Sequence, residues 1–204
     1  MKALLVVDLQ NDFLPNGALA VANGDEIIPI INDIQQQFDL VIATQDWHPY
    51  NHKSFARQHP SNEVFDVIDL NGVSQVLWPD HCVQGTEGAE FSKMWNSNEV
   101  VAIFRKGINV EIDSYSGFYD NNKQANTGLL GFLKEKQVTQ LYVCGLAADF
   151  CVYYTAKDAV ETGFNTYFLE FATKAISPEG LVNAKQELIK IGVEIVQTKE
   201  DLQK

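Results

Sequence analysis

The chain has 204 residues, of which 46% are hydrophobic and 21% charged, and its formal net charge is −12. This composition is typical of one folded domain with a sizeable core and argues against a disordered chain. The negative charge disfavours a nucleic-acid backbone or an anionic membrane as a partner. The apolar run over residues 3–7 is too short for a signal peptide or a membrane span. We therefore expect a cytoplasmic protein that acts on a small molecule, and its oligomeric state stays open.

The apolar segments alternate between strand-like and helix-like patterns along the chain. Buried strands are predicted at residues 3–7, 40–44, 100–104, 140–144, 165–169 and 193–196. Helices are predicted at residues 25–38, 126–136 with a cap near Asn126, 150–162, and 177–191 with Pro178 at the first helical position. The alternation predicts a single-domain, three-layer α/β fold over residues 1–204, in which helices cover both faces of a mostly parallel six-stranded sheet.

The segment from about residue 45 to 98 is irregular, rich in His, Trp, Pro and Asn, and longer than normal loops, which indicates a functional insert. Asp46 and His48 share one side of an extended segment, and His81 can return as a third ligand. Two histidines and one carboxylate suit zinc, iron or manganese in a catalytic site. The alternative is that these are loop histidines bonded to water or backbone. His52 and His59 fit that alternative, although His52 is also a candidate for an extra ligand or a partner of one.

Three cysteines, Cys82, Cys144 and Cys151, show no paired spacing, which predicts a reducing compartment rather than a disulfide framework. We expect Cys82 and Cys144 to pack in the interior. Cys151 opens a predicted helix after a run of small residues, where the helix dipole favours the thiolate. Free backbone N–H groups in that run can bind an oxyanion. The pattern predicts that Cys151 is a covalent nucleophile.

Two further polar residues follow predicted strands, whose carboxyl ends form the ligand-binding edge of a parallel sheet. Asp8 is a candidate general base for Cys151, and the alternative is an aspartate that bonds a turn. Lys106 is a candidate cation between them, and the alternative is a solvated lysine. Arg105 is either a solvent-facing neighbour or a competitor for that role. The coincidence of such groups on one edge favours the catalytic interpretation.

Several aromatic residues accompany these groups and can wall a slot for a flat ring, although aromatic residues more often lie in the core. The candidates are Phe13, Trp78, Tyr115 and Phe118.

Together these motifs resemble the nicotinamidase branch of the isochorismatase-like cysteine hydrolases. The matching segments span most of the chain in order: residues 7–13, 45–49, 78–86, 106–107, 113–118 and 145–152. The resemblance implies a catalytic triad of Asp8, Lys106 and Cys151, metal ligands Asp46, His48 and His81, and a substrate pocket formed by Phe13, Trp78 and Tyr115. It also implies an oxyanion hole of Ala147 and Cys151, with a cis peptide between Leu146 and Ala147. Ala148 departs from the family pattern, in which Thr is common.

The activity implied by the resemblance is hydrolysis of nicotinamide to nicotinate and ammonia through a cysteine thioester, in NAD salvage. The resemblance also implies a divalent metal, which we expect to be zinc, with iron or manganese as alternatives. Activity on pyrazinamide follows as an expectation. Three other interpretations remain: an amidase for N-carbamoyl or ureido substrates, a vinyl-ether hydrolase of the isochorismatase type, and a non-catalytic protein with a reactive thiol. The Asp-x-His signature argues against the ureido amidase, and Cys151 argues against the vinyl-ether hydrolase. The presence of Asp8 and Lys106 as partners of Cys151 argues against a non-catalytic protein.

Overall fold

The computed structural model describes residues 1–203 and consists of parallel strands that alternate with helices. The strands in this part of the chain are β1 (Lys2–Val7), β2 (Leu40–Asp46), β3 (Val67–Leu70), β4 (Val73–Val76), β5 (Val100–Lys106), β6 (Gln140–Leu146), β7 (Asn165–Lys174) and β8 (Glu194–Val196). The α-helices are α1 (Ile27–Ile34), α2 (Leu129–Glu135), α3 (Cys151–Glu161) and α4 (Pro178–Lys190). The predicted α/β fold class is confirmed.

Six of the strands form one parallel sheet in the order β5-β2-β1-β6-β7-β8. The chain moves outward from β1 to β2 and β5, and then returns to the other side of β1 for β6, β7 and β8. The strand order therefore reverses beside β1, and such a reversal opens a crevice at the carboxyl ends of the strands. The ends of β5, β2, β1 and β6 surround this crevice.

The core consists of two hydrophobic clusters, one on each face of the sheet. In β1, Leu4 and Val6 belong to one cluster, and Leu5 and Val7 belong to the other, as the alternation of side chains along a strand requires. Helix α1 covers the first face with its isoleucines, and α2, α3 and α4 cover the second. Both faces are thus buried, which explains why the strands read as continuous apolar runs.

The structure corrects several predicted boundaries. Strands β2 and β5 continue to Asp46 and Lys106, so that these two residues end strands rather than follow them. Helix α2 begins at Leu129 and not near Asn126, whose side chain instead accepts a hydrogen bond from the Gly128 amide. The predicted first helix is α-helical only over Ile27–Ile34, with 3₁₀ turns on either side. Helix α4 begins as predicted, and Ser177 caps it through the Gly180 amide.

The predicted irregular insert contains an antiparallel hairpin formed by β3 and β4. Asn71 and Gly72 join its strands, both with positive φ, which is the backbone conformation of a tight hairpin turn. Within residues 1–203 no helix has the length and apolar character needed to cross a membrane.

Candidate active site

Four neighbouring strands deliver polar side chains to the crevice at the edge of the sheet. Asp8 directly follows β1, Asp46 ends β2, Lys106 ends β5, and Cys151 follows the end of β6 as the first residue of α3. Asp46 and Lys106 are paired across β2 and β5. All four residues are buried, although charged groups are rarely buried without partners. The parallel sheet has therefore brought together the groups that the sequence placed at separate strand ends.

The Lys106 ammonium is the centre of this cluster. Its Nζ lies 2.8 Å from Asp8 Oδ2 and 2.8 Å from Asp46 Oδ1. It also donates to the Ser114 carbonyl at 3.0 Å and lies 3.3 Å from Cys151 Sγ. Although burial opposes the charge, the carboxylates of Asp46 and Asp8 hold the pKa of Lys106 well above its usual value. Lys106 is therefore a fixed cation between the thiol and two carboxylates, and sequence reasoning had missed its contact with Asp46.

The Asp8 carboxyl has two unlike oxygens. Oδ1 accepts a hydrogen bond from Thr44 Oγ1 at 2.7 Å. Oδ2 lies beside the Lys106 ammonium, but no donor in residues 1–203 makes a well-directed hydrogen bond to it. Burial raises the pKa of Asp8 above its usual value, while Lys106 opposes this effect. A carboxyl whose pKa is raised by burial is suited to accept a proton.

The Cys151 thiol is 6% exposed at the start of α3. The helix dipole predicts a lowered pKa, but burial raises the pKa of this thiol well above its usual value, and the nearby Lys106 only partly offsets that. The structure thus favours a neutral thiol in the free protein. Such a thiol needs a base at the moment of attack, and Lys106 brings Asp8 into the same cluster.

The turn between β6 and α3 carries two free amides. The Ala148 amide donates to the Lys174 carbonyl at 2.8 Å, whereas the amides of Ala147 and Cys151 donate to no acceptor in the described part of the chain. The peptide between Leu146 and Ala147 is cis, as the resemblance implies. A Cβ at Gly145 would collide with the Val7 carbonyl oxygen, so glycine permits the close approach of β6 to β1 just before the turn. Two free donors beside a thiol can bind an oxyanion.

A second cluster adjoins the first and contains Asp46, His48 and His81. Their ligand atoms lie within 4.8 Å of one another. Nε2 of His48 is 3.1 Å, and Nε2 of His81 is 3.5 Å, from Asp46 Oδ2. Since a carbonyl can only accept, Nδ1 of His48 donates to Gly107 O, and Nδ1 of His81 donates to Pro79 O. In its neutral form each ring therefore turns an unprotonated Nε2 toward the Asp46 carboxylate, so that three acceptors converge on one point.

Such a convergence of acceptors fits a divalent cation, and the carbonyl groups behind the rings are the usual outer partners of metal-bound histidines. Although burial opposes it, the neighbouring His48 ring and the Lys106 ammonium hold the pKa of Asp46 well below its usual value, which keeps this carboxylate ionised. Gly107, with a positive φ, is required here because a Cβ would collide with the His48 ring.

Gln10 fixes Asp46 through the backbone. Its side chain accepts from the Asp46 amide and donates to the Asp46 carbonyl, each at 2.8 Å, and it also donates to the Ala89 carbonyl. Gln10 belongs to the first matching segment of the sequence but had no predicted role. Nothing in a single sequence identifies it, because the interaction depends on how β2 lies beside the turn after β1.

The two other histidines of the insert, His52 and His59, differ in their distance from this cluster. The His52 ring is buried, its centroid is 4.4 Å from that of His48, and its Nδ1 faces Ser54. Burial, with the nearby His48, lowers the pKa of His52 to about 4. His59 contacts the Lys53 carbonyl, as expected of a loop histidine.

A narrow cavity opens beside Cys151, and aromatic side chains form much of its lining. Its wall includes Phe13, Trp78 and Tyr115, together with Asp46, His81 and Ala147. Phe118 does not line it and instead packs in the core near Phe164. Phe150, which sequence reasoning missed, does line the cavity and packs against Trp78 and Tyr115.

The positions of Arg105, Cys82 and Cys144 show that none of these three residues belongs to the cluster around Lys106. The Arg105 side chain turns outward over the Trp47 ring, so Lys106 alone of the two reaches the cluster. Cys82 and Cys144 are buried free thiols, and burial raises the pKa of each well above its usual value. Both are interior packing residues, as predicted.

The fold and the site together define a hydrolytic enzyme of the α/β type with a cysteine at the edge of its sheet. The chain belongs to the isochorismatase domain family, whose model matches residues 2–200.

Relatives within this family are similar over almost their whole length. A nicotinamidase from Acinetobacter baylyi is 47% identical over 97% of this chain and 92% of its own. The solved structure of a nicotinamidase/pyrazinamidase from Acinetobacter baumanii is 48% identical, with a TM-score of 0.95 over 98% of this chain and 97% of its own. A pyrazinamidase from Pyrococcus horikoshii, solved in complex with zinc, is 37% identical, with a TM-score of 0.78 over 97% of this chain and 99% of its own.

Proposed function

We propose that this protein is a nicotinamidase, which hydrolyses nicotinamide to nicotinate and ammonia through a thioester on Cys151. The observation that carries the proposal is the buried contact of Lys106 Nζ with Asp8, Asp46 and Cys151 beside an aromatic cavity. Relatives at 47 and 48% identity that bear this activity in their names support the choice of substrate.

The first half of the reaction acylates the thiol. Asp8 Oδ2 takes the proton of Cys151, and the sulfur attacks the carboxamide carbon to form a C–S bond. Lys106 stabilises the developing thiolate and remains protonated throughout, as its raised pKa requires. The C–N bond then breaks, and Asp8 returns the proton to the leaving nitrogen, which departs as ammonia.

The tetrahedral intermediate places a negative charge on the former carbonyl oxygen. The free amides of Ala147 and Cys151 are the donors assigned to that oxygen, and the loss of one such donor typically costs about 100- to 1000-fold in rate. These donors are backbone groups, so side-chain substitution leaves them in place. The Ala148 amide is not one of these donors, because it is already bonded to the Lys174 carbonyl.

The second half of the reaction hydrolyses the thioester. Asp8 takes a proton from water, and the resulting hydroxide attacks the acyl carbon. The C–S bond breaks, Asp8 returns its proton to sulfur, and nicotinic acid leaves and releases its carboxyl proton to solvent as nicotinate. One carboxyl thus serves as base and acid in turn, which suits a group whose pKa is raised by burial.

Asp46, His48 and His81 are the residues assigned to hold a divalent metal, because three ligand atoms converge there and all three are acceptors when the rings are neutral. We assign zinc, since the donor set suits it and a related pyrazinamidase was solved with zinc. When bound, such an ion supplies a Lewis acid for a pyridine nitrogen or a water molecule. The chain itself contributes Phe13, Trp78 and Tyr115, which pack against the flat ring.

The same pocket should accept pyrazinamide, whose ring has the same shape and carries the same carboxamide. The Asp46-x-His48 pair disfavours an amidase for ureido substrates, and the engaged Cys151 disfavours a vinyl-ether hydrolase. A place in NAD salvage follows from the nicotinate product. Cytoplasmic location and a metal-binding insert over about residues 45–98 stay predictions.

Ammonia release from nicotinamide by the purified protein tests this proposal. We expect turnover by the wild type and a loss of about 10,000-fold or more in Cys151→Ala, because the covalent route is then removed. Cys144→Ala is the matched control, since it deletes a buried thiol outside the site and should retain activity. Equal rates for the wild type and Cys151→Ala would exclude the thioester mechanism.

A further inference from the structure

Thr44 makes the shortest side-chain contact to the proposed base. Its Oγ1 donates to Asp8 Oδ1 at 2.7 Å, and its carbonyl accepts from the Asp8 amide at 3.3 Å. Thr44 is fully buried on β2. A hydroxyl has a single proton, and here that proton is committed to Asp8.

The Thr44 side chain is held in this orientation by packing. A Cβ at Gly117 would lie 2.7 Å from Thr44 Cγ2, so the methyl group of Thr44 fills the space that glycine leaves. Gly117 is itself fixed, because its amide donates to Thr155 Oγ1 of α3 at 2.9 Å. Rotation of the threonine would drive its methyl group out of this space. The hydroxyl is therefore aimed at Asp8 by the surrounding structure.

The consequence is an asymmetric carboxylate. Thr44 occupies Oδ1, while Oδ2 lies beside Lys106, the residue that also contacts Cys151 Sγ. Because the hydrogen bond from Thr44 fixes the orientation of the carboxyl group, Oδ2 is the oxygen held on the side of Lys106 and of the sulfur. The proton from the thiol should therefore go to Oδ2, on the side where the sulfur lies.

We propose that Thr44 is a positioning residue that selects Oδ2 of Asp8 as the oxygen that receives the thiol proton. This inference rests on the proposed function, because it assigns Thr44 a role in the same proton transfer. Thr44 contacts neither the substrate cavity nor the thiol, and it acts only through Asp8.

The test compares Thr44→Val, which removes the hydroxyl at nearly constant volume, with Thr44→Ser, which keeps it. For Thr44→Val we expect kcat on nicotinamide to fall about 10- to 100-fold, the range for a lost hydrogen bond to a charged group, with KM within about twofold. Thr44→Ser should restore most of kcat. Thr166→Val is the matched control, since it deletes another buried threonine hydroxyl, on β7, and should leave kcat unchanged.

A second measurement does not depend on the substrate. The rate at which iodoacetamide alkylates Cys151, followed by mass spectrometry of its peptide, should fall in Thr44→Val and recover in Thr44→Ser, with thermal unfolding as the check on folding. If the wild type releases no ammonia but alkylation follows this pattern, the proposed function fails and the role of Thr44 stands. A Thr44→Val kcat within about twofold of the wild type, or a Thr44→Ser loss equal to that of Thr44→Val, would overturn the inference.

Discussion

The site has two halves that the fold builds in different ways. The thiol half, Asp8 and Cys151, lies at the ends of the adjacent central strands β1 and β6. The cation half is the proposed metal site, formed by Asp46, His48 and His81. It joins the end of β2 to the irregular insert, and backbone carbonyls orient its two rings. In the thiol half Lys106 is the cationic partner of Asp8, whereas in the cation half Lys106 contacts Asp46 Oδ1 and the two ring nitrogens converge on Oδ2. The comparison shows that regular strands place the reacting groups and that loops complete the binding of an ion.

Lys106 contacts both halves, and its removal is the most severe way to break the comparison. In Lys106→Met, buried Asp8 and Asp46 lose their common partner, so we expect activity to fall about 1000-fold and the free energy of unfolding to drop by about 3–5 kcal/mol. Ammonia release and urea unfolding measure the two effects. Arg105→Met is the control, because the neighbouring side chain faces outward and should affect neither strongly. Retention of activity within about tenfold would contradict the central position of Lys106.

The cation half can be tested by its metal content. His48→Ala removes one of two converging Nε2 atoms, and we expect bound zinc, measured by elemental analysis after dialysis, to fall from roughly one ion per chain to below about a tenth. His59→Ala is the control, because His59 belongs to the same insert but contacts the Lys53 carbonyl, away from the cluster. This variant should retain the ion. Negligible metal in the wild type, or equal metal content in the two variants, would contradict the proposal that Asp46, His48 and His81 bind a metal ion.

The pH dependence of stability sharpens the comparison, because His52 is a buried base beside the cation half. Its pKa is about 4 in the folded chain, below its ordinary value of 6.5, so the unfolded chain binds the proton more tightly. The free energy of unfolding should therefore fall by about 3 kcal/mol through this group as the pH drops from 6.5 to 4. Urea titrations at several pH values should show a smaller decline for His52→Gln. Parallel declines in both proteins would argue against a buried neutral His52.

Much of this architecture could be predicted from the sequence because its signals are local. Apolar runs predict the six strands, and the carboxyl ends of parallel strands must meet, which places Asp8, Asp46, Lys106 and Cys151 together. The hairpin β3–β4 was missed although Asn71-Gly72 is a strong turn signal, since its strands are short and lack a clear apolar pattern.

Other features could not be predicted, because they depend on register and side-chain direction. The contacts of Lys106 with Asp46, of Gln10 with the Asp46 backbone, and of Phe150 with the cavity require the relative positions of separate elements. The same is true of the pKa of Cys151. The helix dipole is visible in the sequence, but the burial that outweighs it follows only from packing.

The central claim is that the Cys151 sulfur forms a covalent bond with the acyl group of the substrate. Acid quenching within the first turnovers on nicotinamide, followed by mass spectrometry, tests this claim most directly. We predict that the peptide containing Cys151 gains the mass of one nicotinoyl group, and that the peptides of Cys82 and Cys144 do not. The experiment is repeated at a pH, or with a variant, at which thioester hydrolysis is slowed. If the enzyme releases ammonia but Cys151 is unmodified at every quench time under all of these conditions, the account is contradicted.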